Sequence, residues 1–216
     1  MNLYIYDHCP FCVKARMIFG LRDVPVTLVT LLNDDAETPI RLTGEKMVPI
    51  LEFEDGHTMG ESMDIVRGID SEAEGVKVMD GPRNPEIERW TSAVSETVGK
   101  LFIPRAPRAP LGEFATPEAA AYFTRNKEAT FGDFNELLAQ TPELLVELDR
   151  WLNELDPLIQ SPEAVNQVLS LDDIALFPVL RQLSLVEGVK YPARVEAYRQ
   201  AMSRLAEVAL HDHVAL

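Results

Sequence analysis

The chain has 216 residues, of which 46% are hydrophobic and 25% are charged, and its formal net charge is −15. This is the composition of an ordinary globular protein, long enough for one large domain or two small ones. A strongly acidic surface repels nucleic-acid phosphates and anionic lipid, so we expect no nucleic-acid and no membrane partner. The first residues lack a signal-peptide pattern, and the sequence predicts a cytoplasmic protein.

Short strand and helix patterns alternate over residues 1–72, which we predict to form an α/β domain. Asp55 and Gly56 form a predicted hairpin turn between the last two strands. The predicted order is β-α-β-α-β-β-α, with strands at 3–6, 26–32, 48–53 and 57–59, and helices at 11–21, from about 39, and at 62–70.

Glycine and proline interrupt residues 73–84, and we predict this segment to be a linker. Residues 85–216 follow with helical periodicity and are predicted to form an all-helical domain. Within them, Ser170 and Asp173 form a predicted capping box, and the last helix is predicted from 193 to about 210. A helix over 142–159 has a predicted apolar face of Leu144, Leu148, Trp151, Leu155 and Leu158.

The only two cysteines, Cys9 and Cys12, enclose Pro10 and Phe11 between a predicted strand and a predicted helix. Cys9 is the expected N-cap and Pro10 the first helical residue, where proline loses no hydrogen bond. Unpaired amides and the helix dipole then favour the Cys9 thiolate, which is the species that attacks disulfides. Cys12 lies one turn further along, where it can resolve a mixed disulfide. The motif therefore predicts a redox pair with Cys9 as nucleophile and Cys12 as second catalytic residue.

Two other interpretations of the cysteine pair carry less weight. A chance structural pair gives no reason for the position at a helix start after a strand. A zinc site needs two more ligands, and the sequence has neither a second C-x-x-C motif nor an H-x-x-x-H pair. His8 adjoins Cys9, but His211 and His213 lie at the far end of the chain. We therefore expect no metal.

Two residue pairs complete the candidate site. A cis Val48–Pro49 bond would turn the Val48 backbone towards a peptide-like ligand lying across Cys9, whereas an ordinary trans edge proline fits the spacing equally well. Ser62 is the expected N-cap of the next helix. It either satisfies a backbone amide only, or also receives a ligand carboxylate. Glu61 can take a ligand ammonium group.

Together these features resemble the glutaredoxin and glutathione-transferase branch of the thioredoxin-like superfamily. The helical second domain is similar to that of the two-domain bacterial glutaredoxin 2 family. The resemblance implies a thioredoxin-like α/β N-terminal domain plus an all-α C-terminal domain in a glutathione-transferase-like architecture. The segments that carry it are Tyr6, Cys9–Cys12, Val48-Pro49, Glu61-Ser62 and residues 4–10, 31–39, 61–66 and 113–117.

The resemblance implies a glutathione-dependent thiol–disulfide oxidoreductase that reduces protein disulfides and glutathione mixed disulfides. Glutathione would be its co-substrate, with its sulfur on Cys9, its cysteinyl backbone on Val48 and its γ-glutamyl end on Glu61 and Ser62. The implied partners are disulfide-containing or glutathionylated proteins, and we expect a monomer. The implied glutathione-binding residues are Tyr6, Phe11, Val48, Pro49, Glu61 and Ser62.

Two positions depart from the family pattern, and two other functions remain open. Phe11 replaces the tyrosine usual between the cysteines, and Met47 stands where many glutaredoxins have threonine, so each loses a hydroxyl near the site. A cysteine-type glutathione transferase would not need Cys12. A non-catalytic binding protein on the same fold would have a Cys9 of unremarkable reactivity.

Overall fold

The computed structural model describes all 216 residues, beginning with a compact α/β unit. Its order is the predicted β-α-β-α-β-β-α. The elements are β1 (Asn2–Ile5), α1 (Pro10–Leu21), β2 (Thr27–Thr30), α2 (Glu37–Thr43), β3 (Ile50–Glu52), β4 (Thr58–Met59) and α3 (Ser62–Glu72).

The four strands form one mixed sheet in the order β2-β1-β3-β4. β1 runs parallel to β2 and antiparallel to β3, so that Leu3 lies between Leu28 and Leu51. β2 is shorter than the predicted 26–32 because β1, its one partner, offers only four paired residues. Leu3 and Leu51 are fully buried, and α1 and α3 pack against each other on this unit.

Two helix starts differ from the prediction. α2 begins at Glu37, two residues before Pro39, because the Asp35 carboxylate accepts a hydrogen bond from the Thr38 amide and proline is tolerated in a first helical turn. The N-cap of α3 is Glu61, with φ of 57°, and Ser62 is already helical. The expectation that Ser62 is the N-cap is therefore wrong.

The remainder of the chain is helical, as predicted. Its helices are α4 (Pro85–Phe102), α5 (Pro117–Phe131), α6 (Phe134–Ala139), α7 (Thr141–Leu155), α8 (Leu171–Leu183) and α9 (Ala193–Leu205), with 3₁₀ segments at 106–108, 112–114, 156–158 and 212–214. None of the helices has the length and apolar composition needed to span a membrane.

Details of the helical part confirm one prediction and correct two. The capping box of Ser170 and Asp173 is present at the start of α8. α9 ends at Leu205, about five residues early, since the chain turns back through a hydrogen bond from the Ser203 hydroxyl to the Val208 carbonyl. In α7 the buried face is Leu144, Leu148, Leu152 and Leu155, so Leu152 rather than Trp151 completes it.

The two parts of the chain share one continuous hydrophobic core. Leu3 of β1, Leu148 of α7 and Leu180 of α8 belong to the same buried cluster. α1 lies directly against α8. At Gly20 of α1 an added Cβ would lie only 2.2 Å from the carbonyl oxygen of Ala206, so the end of α9 rests on bare backbone.

The segment between α3 and α4 is ordered by a buried carboxylate. Asp70, which is fully buried, accepts hydrogen bonds from the amides of Val78 and Met79 at 3.1 and 2.9 Å. Those amides open a 3₁₀ segment, Val78–Asp80, whose Val78 side chain is buried. The chain thus stays packed against the α/β unit before α4 begins.

Candidate active site

The cysteine motif occupies the predicted helix start. Cys9 is the N-cap of α1, in extended conformation, and Pro10 is the first helical residue. The Cys9 amide donates to the Tyr6 carbonyl at 3.2 Å, which closes a tight turn between β1 and α1. Both thiols are free; Cys9 is half-buried and Cys12 fully buried. Of the two sulfurs, only that of Cys9 is accessible to a large substrate.

The two thiols differ strongly in acidity. A hydrogen bond from the Cys12 thiol, attraction by His8 and the backbone amides of Cys12 and Phe11 outweigh burial and lower the pKa of Cys9 to about 6. Burial, followed by the Cys9 sulfur, raises the pKa of Cys12 well above its usual value. The predicted direction for Cys9 is confirmed, although the Cys12 thiol contributes more than the helix amides. At neutral pH the pair is a thiolate and a thiol.

A cavity of about 320 Å³ opens beside Cys9, between the α/β unit and α5. Tyr6 and Val48, two of the predicted binding residues, lie in its wall. Burial raises the pKa of Tyr6, so its phenol stays neutral. The complete lining is Tyr6, His8, Cys9, Asn33, Lys46, Met47, Val48, Tyr122, Phe123, Asn126 and Lys127.

A second, smaller cavity of about 280 Å³ shares Met47 with the first. Pro49 and Glu61, two further predicted binding residues, lie in its wall. The Val48–Pro49 peptide bond that joins the two linings is cis, which decides between the two alternatives that the sequence leaves open. The structure therefore brings Tyr6, Cys9, Val48, Pro49 and Glu61 to one continuous face.

Phe11 and Ser62 are placed differently from the other predicted binding residues. The Phe11 side chain is 57% exposed and lines neither cavity, and Lys14 Nζ lies 5.4 Å from its ring centre. Ser62 is buried, at 6% exposure, and it too lines neither cavity. Their assignment to glutathione binding stays a prediction.

The helical side of the cavity is the part that sequence analysis missed. Tyr122, Phe123, Asn126 and Lys127 of α5 line it opposite Cys9. Lys46 Nζ lies 3.8 Å from the centre of the Tyr122 ring, so a cation joins the two sides across the opening. In sequence these residues belong to an ordinary helix, and no motif distinguishes them.

A buried polar cluster lies beneath the turn that carries Cys9. Arg181 of α8 donates to the Asp7 carbonyl at 2.6 Å and to Asp7 Oδ1 at 2.9 Å, and Arg16 binds the same carboxylate. Burial by itself would raise the pKa of Asp7, but attraction to Arg181 and Arg16 outweighs burial and lowers this pKa to about 2. His211 Nε2 lies 3.8 Å from Asp7 Oδ2. A histidine from the far end of the sequence thus adjoins the site.

His8 makes a second buried contact with the helical part. Its backbone amide and its Nδ1 both lie 2.7 Å from Oε1 of Glu113, which is fully buried. Burial raises the pKa of Glu113, but hydrogen bonding and attraction to His8 outweigh it, and the net direction is down. The Glu113 carbonyl also accepts the Asn33 amide at 2.9 Å. Nowhere in the chain do three or more potential ligands of His, Cys, Asp or Glu meet in a metal-binding group.

A reactive dithiol at a helix start, beside a cavity shared by a thioredoxin-like unit and a helical unit, defines a redox enzyme on the glutathione-transferase fold. Comparisons agree. Residues 3–77 match the model of the glutathione S-transferase N-terminal domain, and residues 86–215 match the glutaredoxin 2 C-terminal domain. Glutaredoxin 2 of Escherichia coli K12 is 49% identical over 216 residues, covering 100% of both chains.

Solved structures agree with these matches. The crystal structure of glutaredoxin 2 from Salmonella typhimurium, in complex with glutathione, has a TM-score of 0.97 and 48% identity over 100% of this chain and 98% of that one. A glutathione S-transferase from Rhodospirillum rubrum, 14% identical, has a TM-score of 0.63 over 94% and 86% of the chains and shows the fold alone. The chain belongs to the glutaredoxin 2 family. It is accordingly a glutathione-dependent thiol–disulfide oxidoreductase, and the predicted fold class is confirmed.

Proposed function

We propose that the protein reduces protein disulfides and glutathione mixed disulfides through its Cys9-Pro10-Phe11-Cys12 dithiol, with glutathione as the reductant. The observation that carries this proposal is the difference in acidity and accessibility between the two thiols. Cys9 has a pKa lowered to about 6 at an open cavity, and Cys12 is a buried thiol one helical turn away. Nucleophilic attack requires an accessible thiolate, which Cys9 supplies. Resolution of a mixed disulfide requires a second thiol close by, which Cys12 supplies.

The reaction begins when the Cys9 thiolate attacks one sulfur of the substrate disulfide. A bond forms between the two sulfurs, the substrate bond breaks, and the leaving thiolate takes up a proton. Cys12 then loses its proton and attacks the Cys9 sulfur, which releases the second substrate thiol and leaves a Cys9–Cys12 disulfide. Two glutathione molecules reduce that disulfide in two exchanges and leave as glutathione disulfide, so thiols and electrons balance.

Glutathione is proposed to lie along Val48, with its sulfur towards Cys9 and its γ-glutamyl end at Glu61 and Ser62. Tyr6, Phe11 and Pro49 complete the proposed contacts. The continuous face formed by the two cavities supports this orientation, and Lys46 supplies a positive charge at the opening. The glutathione complex of the Salmonella typhimurium relative is consistent with a glutathione site in this fold.

A glutathione-coupled reduction assay on three proteins tests the function. In Cys9→Ser, activity on all disulfide substrates should fall by about a thousandfold or more, since the nucleophile is lost. Cys12→Ser keeps a hydroxyl that can donate to the Cys9 sulfur, so it should retain deglutathionylation but lose reduction of protein disulfides. A Cys12→Ser protein that reduces protein disulfides at the wild-type rate would favour the monothiol chemistry of a cysteine-type transferase.

The proposed γ-glutamyl contact has its own test. Ser62→Ala removes one hydrogen bond to a charged group, worth about 1.5–3 kcal/mol, so KM for glutathione should rise by about ten- to a hundredfold. The pH midpoint of Cys9 alkylation should stay where it is in the wild type. An unchanged KM would move the γ-glutamyl end away from Ser62.

The remaining expectations belong to the same proposal. We infer a monomer that acts in the cytoplasm on disulfide-containing or glutathionylated proteins, with a thioredoxin-like domain at 1–72, a connection at 73–84 and a helical domain at 85–216. A reducing compartment supplies the glutathione that the reaction consumes. Light scattering of the purified protein should give the mass of one chain, 24.2 kDa. A mass of twice that value would contradict the monomer.

A further inference from the structure

Glu113 has a position that the redox chemistry described above does not use. It lies in the 3₁₀ segment Gly112–Phe114, between α4 and α5, and is fully buried. Its Oε1 accepts two hydrogen bonds of 2.7 Å, from the amide and from Nδ1 of His8. An ionised carboxylate only accepts hydrogen bonds, so Nδ1 of His8 must carry the hydrogen. Glu113 therefore fixes both the tautomer and the orientation of the residue next to Cys9.

A packing role alone explains this arrangement poorly. A buried carboxylate is costly unless its oxygens are paired, and Oε2 of Glu113 has no hydrogen-bond partner in the protein. Three aromatic rings also lie near the His8 ring, those of Tyr6, Phe114 and Phe123, with ring centres 5.8, 5.2 and 4.9 Å away. Glu113 is the side chain that is hydrogen-bonded to His8, and His8 itself lies in the wall of the Cys9 cavity.

We propose that Glu113 is a positioning residue for the Cys9 thiolate and acts through His8. Its carboxylate accepts the hydrogen on Nδ1 and holds the imidazole in the wall of the Cys9 cavity, where the attraction of His8 for the Cys9 sulfur stabilises the thiolate. The helical part of the chain thereby sets the reactivity of a nucleophile in the other part. This inference rests on the proposed role of Cys9 as nucleophile.

Other charged groups also face this pair and must be considered in any pH experiment. On the α/β side these are Cys9 and Tyr6. On the helical side Arg181 and His211 interact electrostatically with Glu113, and Lys127 lies in the same cavity wall as His8. Arg181 is fixed by Asp7, so its charge stays in place when Glu113 is changed.

The direction of the effect separates action through His8 from a direct charge effect. Glu113→Gln removes a negative charge near Cys9, and by itself that change would favour the thiolate and lower its pKa. If Glu113 acts through His8, a neutral amide at position 113 holds the imidazole less strongly, and the attraction of His8 for the Cys9 sulfur weakens. The pKa of Cys9 must then rise.

The experiment measures the rate of Cys9 alkylation by iodoacetamide against pH in the reduced full-length protein. In Glu113→Gln we expect the midpoint to rise by about one unit, so that the rate at pH 5 falls about tenfold. His8→Phe should raise the midpoint by a similar amount. In the His8→Phe background, Glu113→Gln should raise it no further. Asp173→Asn, which alters another fully buried carboxylate of the helical part, is the matched control and should destabilise the fold without moving the midpoint.

Each outcome decides the question. A midpoint that stays or falls in Glu113→Gln overturns the proposal, as does a rise that persists in the His8→Phe background. If the Gln variant does not fold, as judged by circular dichroism, His8→Phe with Glu113 intact carries the test, and an unchanged midpoint there overturns it. Because alkylation needs no glutathione, failure of the proposed reductase activity would leave this readout independent.

Discussion

The two walls of the Cys9 cavity are built in different ways. The α/β side is built from short local motifs that can be recognised in the sequence, and they supply Tyr6, Cys9 and Val48. On the helical side, Phe123 and Lys127 come from a helix that begins more than a hundred residues after Cys9 and has no motif of its own. The first wall carries the nucleophile, and the second supplies aromatic rings and charge around it.

The contacts beneath the cavity show that the first wall depends on the second. Asp7 and His8 belong to the turn between β1 and α1, and each is bound by a side chain of the helical part: Arg181, 174 positions away, and Glu113, 105 positions away. The turn that presents Cys9 is therefore held by residues outside the α/β unit. A motif can specify a nucleophile while distant residues fix its geometry.

The largest expected effect on this dependence comes from Arg181→Ala. The guanidinium is 3% exposed and spans Asp7 and the Ala209 carbonyl. Removing the guanidinium leaves the Asp7 carboxylate with Arg16 alone and leaves the carbonyls of Asp7 and Ala209 without their donor, so the free energy of unfolding in urea should fall by about 3–5 kcal/mol. Arg67→Ala is the control, because the exposed Arg67–Asp64 pair should contribute less than about 1 kcal/mol. Equal losses in the two variants would mean that Arg181 does not join the walls.

A smaller effect is expected from pH at His211. Burial and the nearby Arg181 lower its pKa from 6.5 to about 4 in the folded protein. Between those values the unfolded chain binds a proton that the folded chain does not, so stability should fall as pH drops from about 6.5 to 4. The contribution is about 2–3 kcal/mol. Asp7, with its pKa of about 2, loses its own contribution only below about 3.8, which leaves the two windows separate.

Urea unfolding at pH 7 and pH 4.5 measures this loss. In His211→Phe the stability difference between the two pH values should shrink by the His211 contribution. His213→Gln, which changes an exposed histidine close by, should keep the wild-type difference. A wild-type slope that survives in His211→Phe would assign the pH dependence to another group.

The smallest effect is expected from Lys127→Ala at the opening of the cavity. A half-buried cation at the open mouth of a cavity contributes less than about 1 kcal/mol to the binding of a carboxylate ligand, so KM for glutathione should rise about two- to fivefold at low salt. Screening at high ionic strength should remove the difference. Lys190→Ala, an exposed lysine far from Cys9, should leave KM unchanged. A salt-independent change in Lys127→Ala would indicate packing against Phe123 rather than charge.

Local features of the fold were predictable from sequence, because each depends on neighbours in the chain. The β-α-β-α-β-β-α order, the position of Cys9 at the start of α1 and the capping box at Ser170 are of this kind. Ser62 was assigned as an N-cap because serine favours that position, but Glu61 takes it with a positive φ that no local preference indicates. Tertiary packing overrode propensity there.

Features of the site that depend on contacts between residues far apart in the sequence were not predictable. His211 lies far from Cys9 in the sequence, yet its Nε2 is 3.8 Å from Oδ2 of Asp7. Glu113 lies within a segment that supported the family resemblance, but nothing in that segment pointed to His8. The His211 contact arises where the residues after α9 return to the turn before α1, and the Glu113 contact arises where the 3₁₀ segment Gly112–Phe114 reaches the same turn. Only the folded chain brings these segments together.

The close approach at Gly20 has a consequence for how this family can change over evolution. A glycine within a helix costs about 1 kcal/mol relative to alanine, yet the Cβ of any other residue would lie only 2.2 Å from the Ala206 carbonyl oxygen. Substitution of Gly20 is therefore disfavoured for as long as the residues after α9 pack against α1. A descendant that lost its last helix would be free to replace the glycine and gain stability. In a relative of this protein, a residue other than glycine at this position would indicate that the end of the chain no longer packs against α1.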